Sequence, residues 1–245
     1  MSLLDAAILL LGGLFAGVIN AMAGGGSLLT VPLLSLAGVD GLDANGTNRV
    51  AVGIQTLASG LGYHRKDVRP YQATLKVVPQ GLLGGLLGAG LVSQLDDALF
   101  ERLFGVLMIP LLVLALWKPK TDASERPWPW WVQFAVFFGV GFYAGAIQAG
   151  VGLILLLVLS RAGFDLVTGN AIKTFFVIAI TFVVALPVFL WNDQVQWLPA
   201  LVLSAGTGIG GFFGARIAVE GGDRVIKPVL VVAVLALAGR MIGLY

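Results

Sequence analysis

The sequence lacks several residue types that active-site chemistry requires. It contains no cysteine, which excludes a disulfide, a thiolate nucleophile and a cysteine metal site. Its one histidine, His64, lies in a basic stretch, and neither an HExxH nor a GxSxG motif occurs. We therefore expect no enzymatic activity, no metal site and no cofactor.

Charge is also scarce. Charged residues make up 11% of the 245 residues, whereas they make up about a quarter of soluble domains. Hydrophobic residues account for 58%, and the mean hydropathy is +0.95. Because so few charges cannot cover a water-exposed surface, lipid is the expected solvent. The net charge of +2 comes from dispersed residues, so we expect no nucleic-acid partner.

Apolar segments recur along the whole chain, and many are long enough to cross a bilayer. This pattern predicts an all-α, polytopic bundle of transmembrane helices. The predicted segments are 5–22, 26–38, 44–62, 74–93, 99–117, 131–148, 151–162, 168–191, 197–219 and 225–244.

The two halves of the chain resemble each other. "FAGVINA" at 15–21 matches "YAGAIQA" at 143–149, and "GGLLGA" at 84–89 matches "GGFFGA" at 210–215. Further on, "AGVD" matches "AGFD" in the same order. Several matches in sequence order at nearly one spacing indicate an internal repeat.

The repeat predicts the domain organisation. Residues 1–117 form an N-terminal transmembrane repeat, and residues 131–245 form a C-terminal one. The polar, proline-rich stretch 118–130 reads as a cytoplasmic linker. Because each half has five segments, an odd number, the second copy is expected to be inverted in the membrane. The basic residues then place the linker inside and both termini outside.

Two segments, 26–38 and 151–162, are too short to span the hydrocarbon core. They occupy matching positions in the two halves. We therefore predict that each pairs with the preceding segment as a broken or re-entrant helix near the midplane.

The stretch "NAMAGGGSLLTVP" at 20–32 places a glycine run inside an apolar segment, and "QAGVGL" at 148–153 is its counterpart. Glycines permit a sharp break, and Ser27 is expected to cap the short helix that follows. Two helix starts facing one cavity would favour an anion. The alternative is that these glycines only permit close helix packing. The candidate glycines are Gly24, Gly25, Gly26, Gly150 and Gly152.

Five more polar or basic residues and two amides complete the candidate site. Asn20 and Gln148 stand beside the two breaks, where they could bind substrate or form only an interhelical hydrogen bond. Basic side chains inside membrane segments are costly, and they could draw or gate anions or instead extend to the interface. The five polar or basic residues are Thr47, Asn48, Arg49, Asn170 and Lys173, of which Arg49 and Lys173 are basic.

Carboxylates are absent from the middle of every predicted segment. All thirteen acidic residues fall in loops or at segment ends. A buried acidic proton relay and a carboxylate cation site are therefore disfavoured. Any proton coupling could run through protonation of the substrate itself.

The chain resembles the TauE/SafE-type sulfite exporters. The resemblance rests on "GLFAGVINAMAGGGSLLTVPLLSLAGVDGLDANGTNRVAV" at 13–52 and on "GFYAGAIQAGVGLILLLVLSRAGFDLVTGNAIKT" at 141–174. It implies an integral membrane permease, of bacterial or related origin, that exports sulfite, sulfonates or similar small anions. In the second half the triple glycine is reduced to "GVG", and Ser27 has no hydroxyl counterpart.

These observations together predict a secondary transporter of a small oxyanion, most simply sulfite or an organosulfonate. Transport would follow from one half rocking against the other. The expected location is the bacterial inner membrane. An anion channel, a permease for another small organic anion and a non-transporting assembly factor are the alternatives. The sequence leaves proton coupling and homo-oligomer formation open.

Overall fold

The structure, a computed structural model, describes residues 1–23, 25–65, 68–116 and 128–219. Every element in those ranges is helical, which confirms the all-α prediction. Three helical stretches are long and apolar enough to cross a membrane: Leu3–Asn20, Tyr71–Val92 and Val167–Trp191. Gly24, the predicted segment 225–244 and most of the predicted linker lie outside the described residues.

Ten α-helices follow one another along the described chain. Their bounds are α1 Leu3–Ala23, α2 Ser27–Leu36, α3 Gly41–Arg65, α4 Tyr71–Val92, α5 Asp97–Leu116, α6 Trp130–Ala146, α7 Val151–Arg161, α8 Leu166–Ala179, α9 Leu186–Trp191 and α10 Trp197–Val219. A π-helical turn, Ile180–Ala185, joins α8 to α9 as one continuous helix. The two predicted short segments correspond to α2 and α7, each following a break in the helix.

The repeated AGxD sequences end the two short helices in the same way. Gly38 follows α2 and Gly163 follows α7, and both adopt a left-handed conformation with φ of 80° and 85°. Such a residue closes a helix and turns the chain. In the second copy, Asp165 then caps α8 by accepting hydrogen bonds from the backbone of Val167 and Thr168. Hydrogen bonds from Thr168 hold the pKa of the exposed Asp165 carboxyl below its ordinary value.

Glycine-lined contacts bring α4 and α6 together until their backbones touch. A Cβ added at Gly84 would overlap the carbonyl oxygen of Phe138, and one at Gly145 would overlap that of Gly85. Small residues at such positions are typical of tightly packed membrane helices. The glycine motif at 84–89 therefore packs against a helix of the other half of the chain.

The same kind of contact joins α1 to α10. A Cβ added at Gly17 would overlap the carbonyl oxygen of Thr207, and one at Gly210 would overlap that of Leu14. The matching motif at 210–215 lies on this helix. In both close pairs, α4 with α6 and α1 with α10, one helix comes from each half of the chain. The two halves therefore interleave.

Because of these two pairs, the helices form two bundles, each of which contains helices from both halves of the chain. The first bundle consists of α1, α2, α3 and α10, and the second consists of α4, α6, α7, α8, the π-helical turn and α9. Helix α5 adds its aromatic face to the core of the first bundle. The apolar core of the second bundle is formed mainly by α4, α6, α7 and α8. Residues 146–153 reach into the first core, so the bundles meet at the second break.

A pair of glycines on α6 tests the close packing. We expect Gly145→Ala to lower the melting temperature, because its methyl group would force α6 away from the backbone of α4. Gly139→Ala is the matched control, since an added Cβ there meets nothing within 4 Å. Alanine is the better helix former by about 1 kcal/mol, so the control should melt at the same temperature or higher. Equal destabilisation by both variants would contradict the contact.

Candidate functional site

The first break, at Gly25 and Gly26, lies against the helix that precedes it. A Cβ at Gly26 would overlap the carbonyl oxygen of Ala16 on α1. Gly26 has ordinary helical dihedrals, so glycine is needed here for the close approach and not for a left-handed backbone. Gly25 and Gly26 are both buried.

The second break, residues 147–150, is built differently. Gln148 and Gly150 adopt left-handed conformations, with φ of 64° and 69°. A left-handed backbone is rare for a glutamine, and such strained residues cluster at functional sites. The Tyr143 hydroxyl donates a 2.5 Å hydrogen bond to the carbonyl oxygen of Ala149, which holds the break to the last turns of α6.

The two breaks touch each other. The backbone N–H of Gly150, just before α7, donates a 3.0 Å hydrogen bond to the Ser27 hydroxyl oxygen at the start of α2. Both residues are buried. The starts of the two short helices are therefore neighbours in the interior, although they lie more than a hundred residues apart in the chain.

The prediction that Ser27 caps its own helix is wrong. Helix α2 has no side-chain cap, because Ser27 is already its first helical residue. Its hydroxyl instead accepts the hydrogen bond from the Gly150 N–H at the N-terminus of α7. An oxygen of a bound anion could accept this hydrogen bond in its place.

Replacing Ser27 tests this contact. We expect Ser27→Ala to destabilise the protein by about 1–3 kcal/mol, because the buried N–H of Gly150 loses its acceptor. Ser35→Ala on the same helix is the control, since the Ser35 hydroxyl bonds Asp40 at the exposed surface. Thermal melting of both variants measures the difference, and equal melting temperatures would contradict a buried role for Ser27.

The amides beside the breaks each contact a side chain from the third helix of their own half. The Asn20 amide donates a 3.0 Å hydrogen bond to Gln55 on α3. The Gln148 amide donates a 2.9 Å hydrogen bond to the hydroxyl of Thr181 in the π-helical turn. π-Helical turns recur at functional sites. Both amides make an interhelical hydrogen bond, and the side-chain oxygen of Gln148 has no partner.

Arg49 lies fully buried on α3 and binds the end of α6. Its guanidinium donates hydrogen bonds to the carbonyl oxygens of Ala144, Gly145 and Ala146, at 2.5, 2.7 and 3.0 Å. These carbonyls have no partner within α6, because the helix stops at the second break. Arg49 therefore provides hydrogen-bond donors for the carbonyls at the C-terminal end of α6. Its side chain does not extend to the membrane interface.

Two neighbours hold the Arg49 guanidinium in place. Asn45 accepts a hydrogen bond from it and donates one to Ala146. The ring of Phe189 on α9 lies 5.1 Å from the guanidinium carbon, a cation–π distance. Within the described residues, no carboxylate forms an ion pair with Arg49. The interior beside the second break consequently carries an unbalanced positive charge.

The remaining predicted residues have separate positions. The Thr47 hydroxyl accepts a hydrogen bond from the backbone of Gln196, before α10. Lys173 is partly buried and donates a 2.7 Å hydrogen bond to Asn170 on the same helix. Gly152 is buried in the first turn of α7. The structure thus brings together Ser27, Gln148 and Gly150 at the breaks, with Arg49 behind them.

Two neighbouring residues on α3 and one at the second break keep buried polar atoms without a partner. Both amide atoms of Asn48 lack one, and the residue is fully buried. The side-chain oxygen of Gln148 and the Nε of Arg49 also lack one. Elsewhere in the described chain, Gln80 and Gln194 each have one such oxygen. Buried polar atoms are rarely left unpaired, so these atoms mark a place for water or a ligand.

A separate cavity of about 750 Å³ lies between the N-terminal ends of α4 and α6. Arg69, Lys76, Gln133 and Trp128 are among its lining residues. None of the predicted site residues lines it, so the cavity and the breaks are distinct places in the fold.

Sequence reasoning missed four residues of the site: Asn45, Gln55, Tyr143 and Thr181. Gln55 carried a usable signal, because it is a lone amide in the apolar run "VAVGIQTLASG". Asn45 and Tyr143 lie inside quoted motifs but had no assigned role. Thr181 had no local signal, since its position depends on the π-helical turn.

Comparisons with known proteins agree with this architecture. The family model described as "Sulfite exporter TauE/SafE" matches residues 9–241. No solved structure matches the chain significantly.

Several relatives align over nearly the whole chain. The probable membrane transporter protein ORF9 of Sinorhizobium sp is 29% identical, with 97% of this chain and 92% of that protein aligned. A probable membrane transporter protein of Haemophilus influenzae is 27% identical, at 96% and 94% coverage. The probable membrane transporter protein YfcA of Escherichia coli K12 is 26% identical, at 96% and 90%. With its long apolar helices, the chain is an integral membrane protein of the transporter class. It belongs to the TauE/SafE sulfite exporter family.

Proposed function

We propose that this protein is a secondary transporter that carries a small oxyanion, sulfite or an organosulfonate, across the bacterial inner membrane by alternating access. The observation that supports it most is the hydrogen bond from Gly150 to Ser27, which joins the two breaks in the protein interior. Transporters commonly bind substrate where two broken helices meet.

The chemistry of this place suits an anion. The start of α7 carries the positive end of the helix dipole, and its N–H groups are donors. Arg49 adds a buried positive charge with no carboxylate partner among the described residues. In the bound state, the anion would replace Ser27 as acceptor for Gly150, and the Ser27 hydroxyl would donate to the anion.

Asn48 and Gln148 complete the proposed site. Their unpartnered amide atoms are buried, and burying such an atom without a hydrogen bond costs about 1–3 kcal/mol. A bound anion would accept from the Asn48 amide nitrogen, and a hydroxyl group of the ligand or a water would donate to the two amide oxygens. Asn20 and Gln55 would support the first break from the opposite side through their mutual hydrogen bond.

Ligand-induced stabilisation of the purified protein tests the substrate class. Melting temperatures would be measured with sulfite, sulfate, thiosulfate, sulfoacetate and lactate. A ligand that binds the native state at 100 times its Kd stabilises it by about 2.7 kcal/mol. We expect sulfite to give the largest shift. If lactate alone stabilised the protein, the substrate would be another organic anion.

Flux in proteoliposomes separates a carrier from a channel. We expect saturable sulfite transport that is accelerated by sulfite on the opposite side, because a carrier returns faster when loaded. Flux that rises linearly with concentration, without counterflow, would identify an anion channel instead.

A further inference from the structure

The Gln148 amide lies against the π-helical turn. The Gln148 backbone is left-handed, and its amide nitrogen donates a 2.9 Å hydrogen bond to the Thr181 hydroxyl. Thr181 is itself fully buried. The amide oxygen therefore remains as an acceptor, buried and without a partner. A ligand that brings a donor would satisfy this acceptor.

The charge around the second break matches a single negative charge. Arg49 binds the carbonyl of Ala146, two residues before Gln148. Lys173 lies eight residues before Thr181 on the same helix, roughly 12 Å away along the axis. Among the residues that the structure describes, Arg49 is the cation beside the break. One cation balances a monoanion, whereas a dianion would keep an uncompensated charge in the interior, which is costly.

Resting on the proposed function, we propose that the site selects a monovalent oxyanion that carries one hydroxyl group. Hydrogen sulfite has this chemistry, and the sulfite dianion, sulfate and simple sulfonates do not. The ligand's hydroxyl donates to the Gln148 oxygen, and its remaining oxygens accept from the donors at the breaks. Each transported anion then carries one proton, which a membrane interior without carboxylates could not supply.

The pH dependence of binding tests the selection. Sulfite would be titrated against the purified protein across its own second ionisation, which lies near neutral pH, with melting temperature as the readout. We expect the apparent affinity to fall about tenfold for each pH unit above that ionisation. Methanesulfonate, a monoanion without a hydroxyl group, should bind weakly at every pH. The melting temperature of the protein without ligand, over the same pH range, reports any titration of the protein itself.

Thr181→Val sharpens the test, because it frees the Gln148 amide to turn its N–H groups toward the ligand. We expect the variant to keep sulfite binding but to lose the preference for hydrogen sulfite. Thr56→Val is the control, since the Thr56 hydroxyl bonds only carbonyls of its own helix. If the wild type bound sulfite as tightly at high pH, where the dianion predominates, as at low pH, the proposed selection would be overturned and the proposed function would stand. Stabilisation by no anion at any pH would overturn the proposed function as well.

A second inference concerns the bodies that move, and it rests on the packing of the helices. The backbones of α4 and α6 touch, as do those of α1 and α10, and each pair joins the two halves of the chain. Rocking one half against the other would have to shear both contacts. Between the bundles, α3 and α8 are in contact through side chains, for example at Gly60 and Thr174, and Arg49 of α3 donates to carbonyls at the end of α6. Motion between the bundles would break these hydrogen bonds but would leave both backbone contacts intact.

We infer that the moving bodies are the two bundles, each of which contains a helix from the other half. The natural absence of cysteine allows a direct test with two engineered pairs. Gly85→Cys with Ile180→Cys joins the halves within the second bundle, where the added Cβ lies 3.2 Å from a methyl carbon of Ile180. Gly60→Cys with Thr174→Cys joins them between the bundles, at 3.7 Å.

Sulfite flux would be measured for each pair before and after oxidation, so that the reduced protein is its own control. We expect oxidation to stop transport only for the pair between the bundles. Gly13→Cys with Leu203→Cys, within the first bundle, is a further pair if Gly85→Cys does not fold. Arrest by the within-bundle cross-link would overturn the inference. Reduced variants that fold but never transport sulfite would count against the proposed function.

Discussion

Asn48→Leu should leave the protein as stable as the wild type, or more stable, and should weaken anion binding by roughly 10- to 100-fold. Both amide atoms of Asn48 are buried without partners, so an apolar side chain of similar size removes an unpaired polar group. The binding loss corresponds to a hydrogen bond with a charged group, about 1.5–3 kcal/mol. Thermal melting with and without sulfite measures both effects.

Asn45→Leu is the matched control on the same helix. The Asn45 amide is fully engaged, since it donates to Ala146 and accepts from Arg49. We expect this variant to lose stability, by about 1–3 kcal/mol, because the Ala146 carbonyl loses one of its two donors and the Arg49 guanidinium loses an acceptor. If Asn48→Leu also lost stability, and binding were unchanged, Asn48 would be a structural residue with an unseen partner.

Arg49→Met should have the largest effect on folding. It removes the donors to the Ala144 and Gly145 carbonyls and one of the two donors to Ala146, and we expect a loss of about 3 kcal/mol or more together with loss of transport. Arg49→Lys keeps the charge but not the forked geometry. It should therefore be intermediate in stability and retain part of the anion binding.

Chemical denaturation of the three proteins measures this order, with Arg102→Met as the control at an exposed position. An Arg49→Met protein as stable as Arg102→Met would show that the second break does not need the guanidinium. Binding lost equally in Arg49→Lys and Arg49→Met would show that its hydrogen bonds, and not its charge, serve the site.

The broken helices could be predicted because their signals are local. Segments of about a dozen residues between glycine-rich stretches cannot span a bilayer, and α2 and α7 have the expected lengths. Their meeting followed from the repeat. The contact itself was not predictable in detail, because Ser27 serves the other helix and not its own.

The role of Arg49 shows why the rest could not be predicted. The cost of a buried cation identified Arg49 as a candidate site residue. Both interpretations, an anion gate and a side chain that extends to the interface, assumed that its partner is a substrate or solvent. Its actual partners are carbonyls that are free only because α6 stops at Ala146, which is a property of the folded chain. Likewise, the glycine motifs indicated a repeat, but nothing in them indicated that each packs against the opposite half.

The most direct test of the account is sulfite counterflow in proteoliposomes for the wild type, Asn48→Leu and a Gln148→Leu variant, each with its melting temperature. The account predicts saturable counterflow by the wild type, which both variants lose although Asn48→Leu melts no lower. Undiminished counterflow in both folded variants would mean that the anion crosses somewhere other than the meeting point of the two breaks.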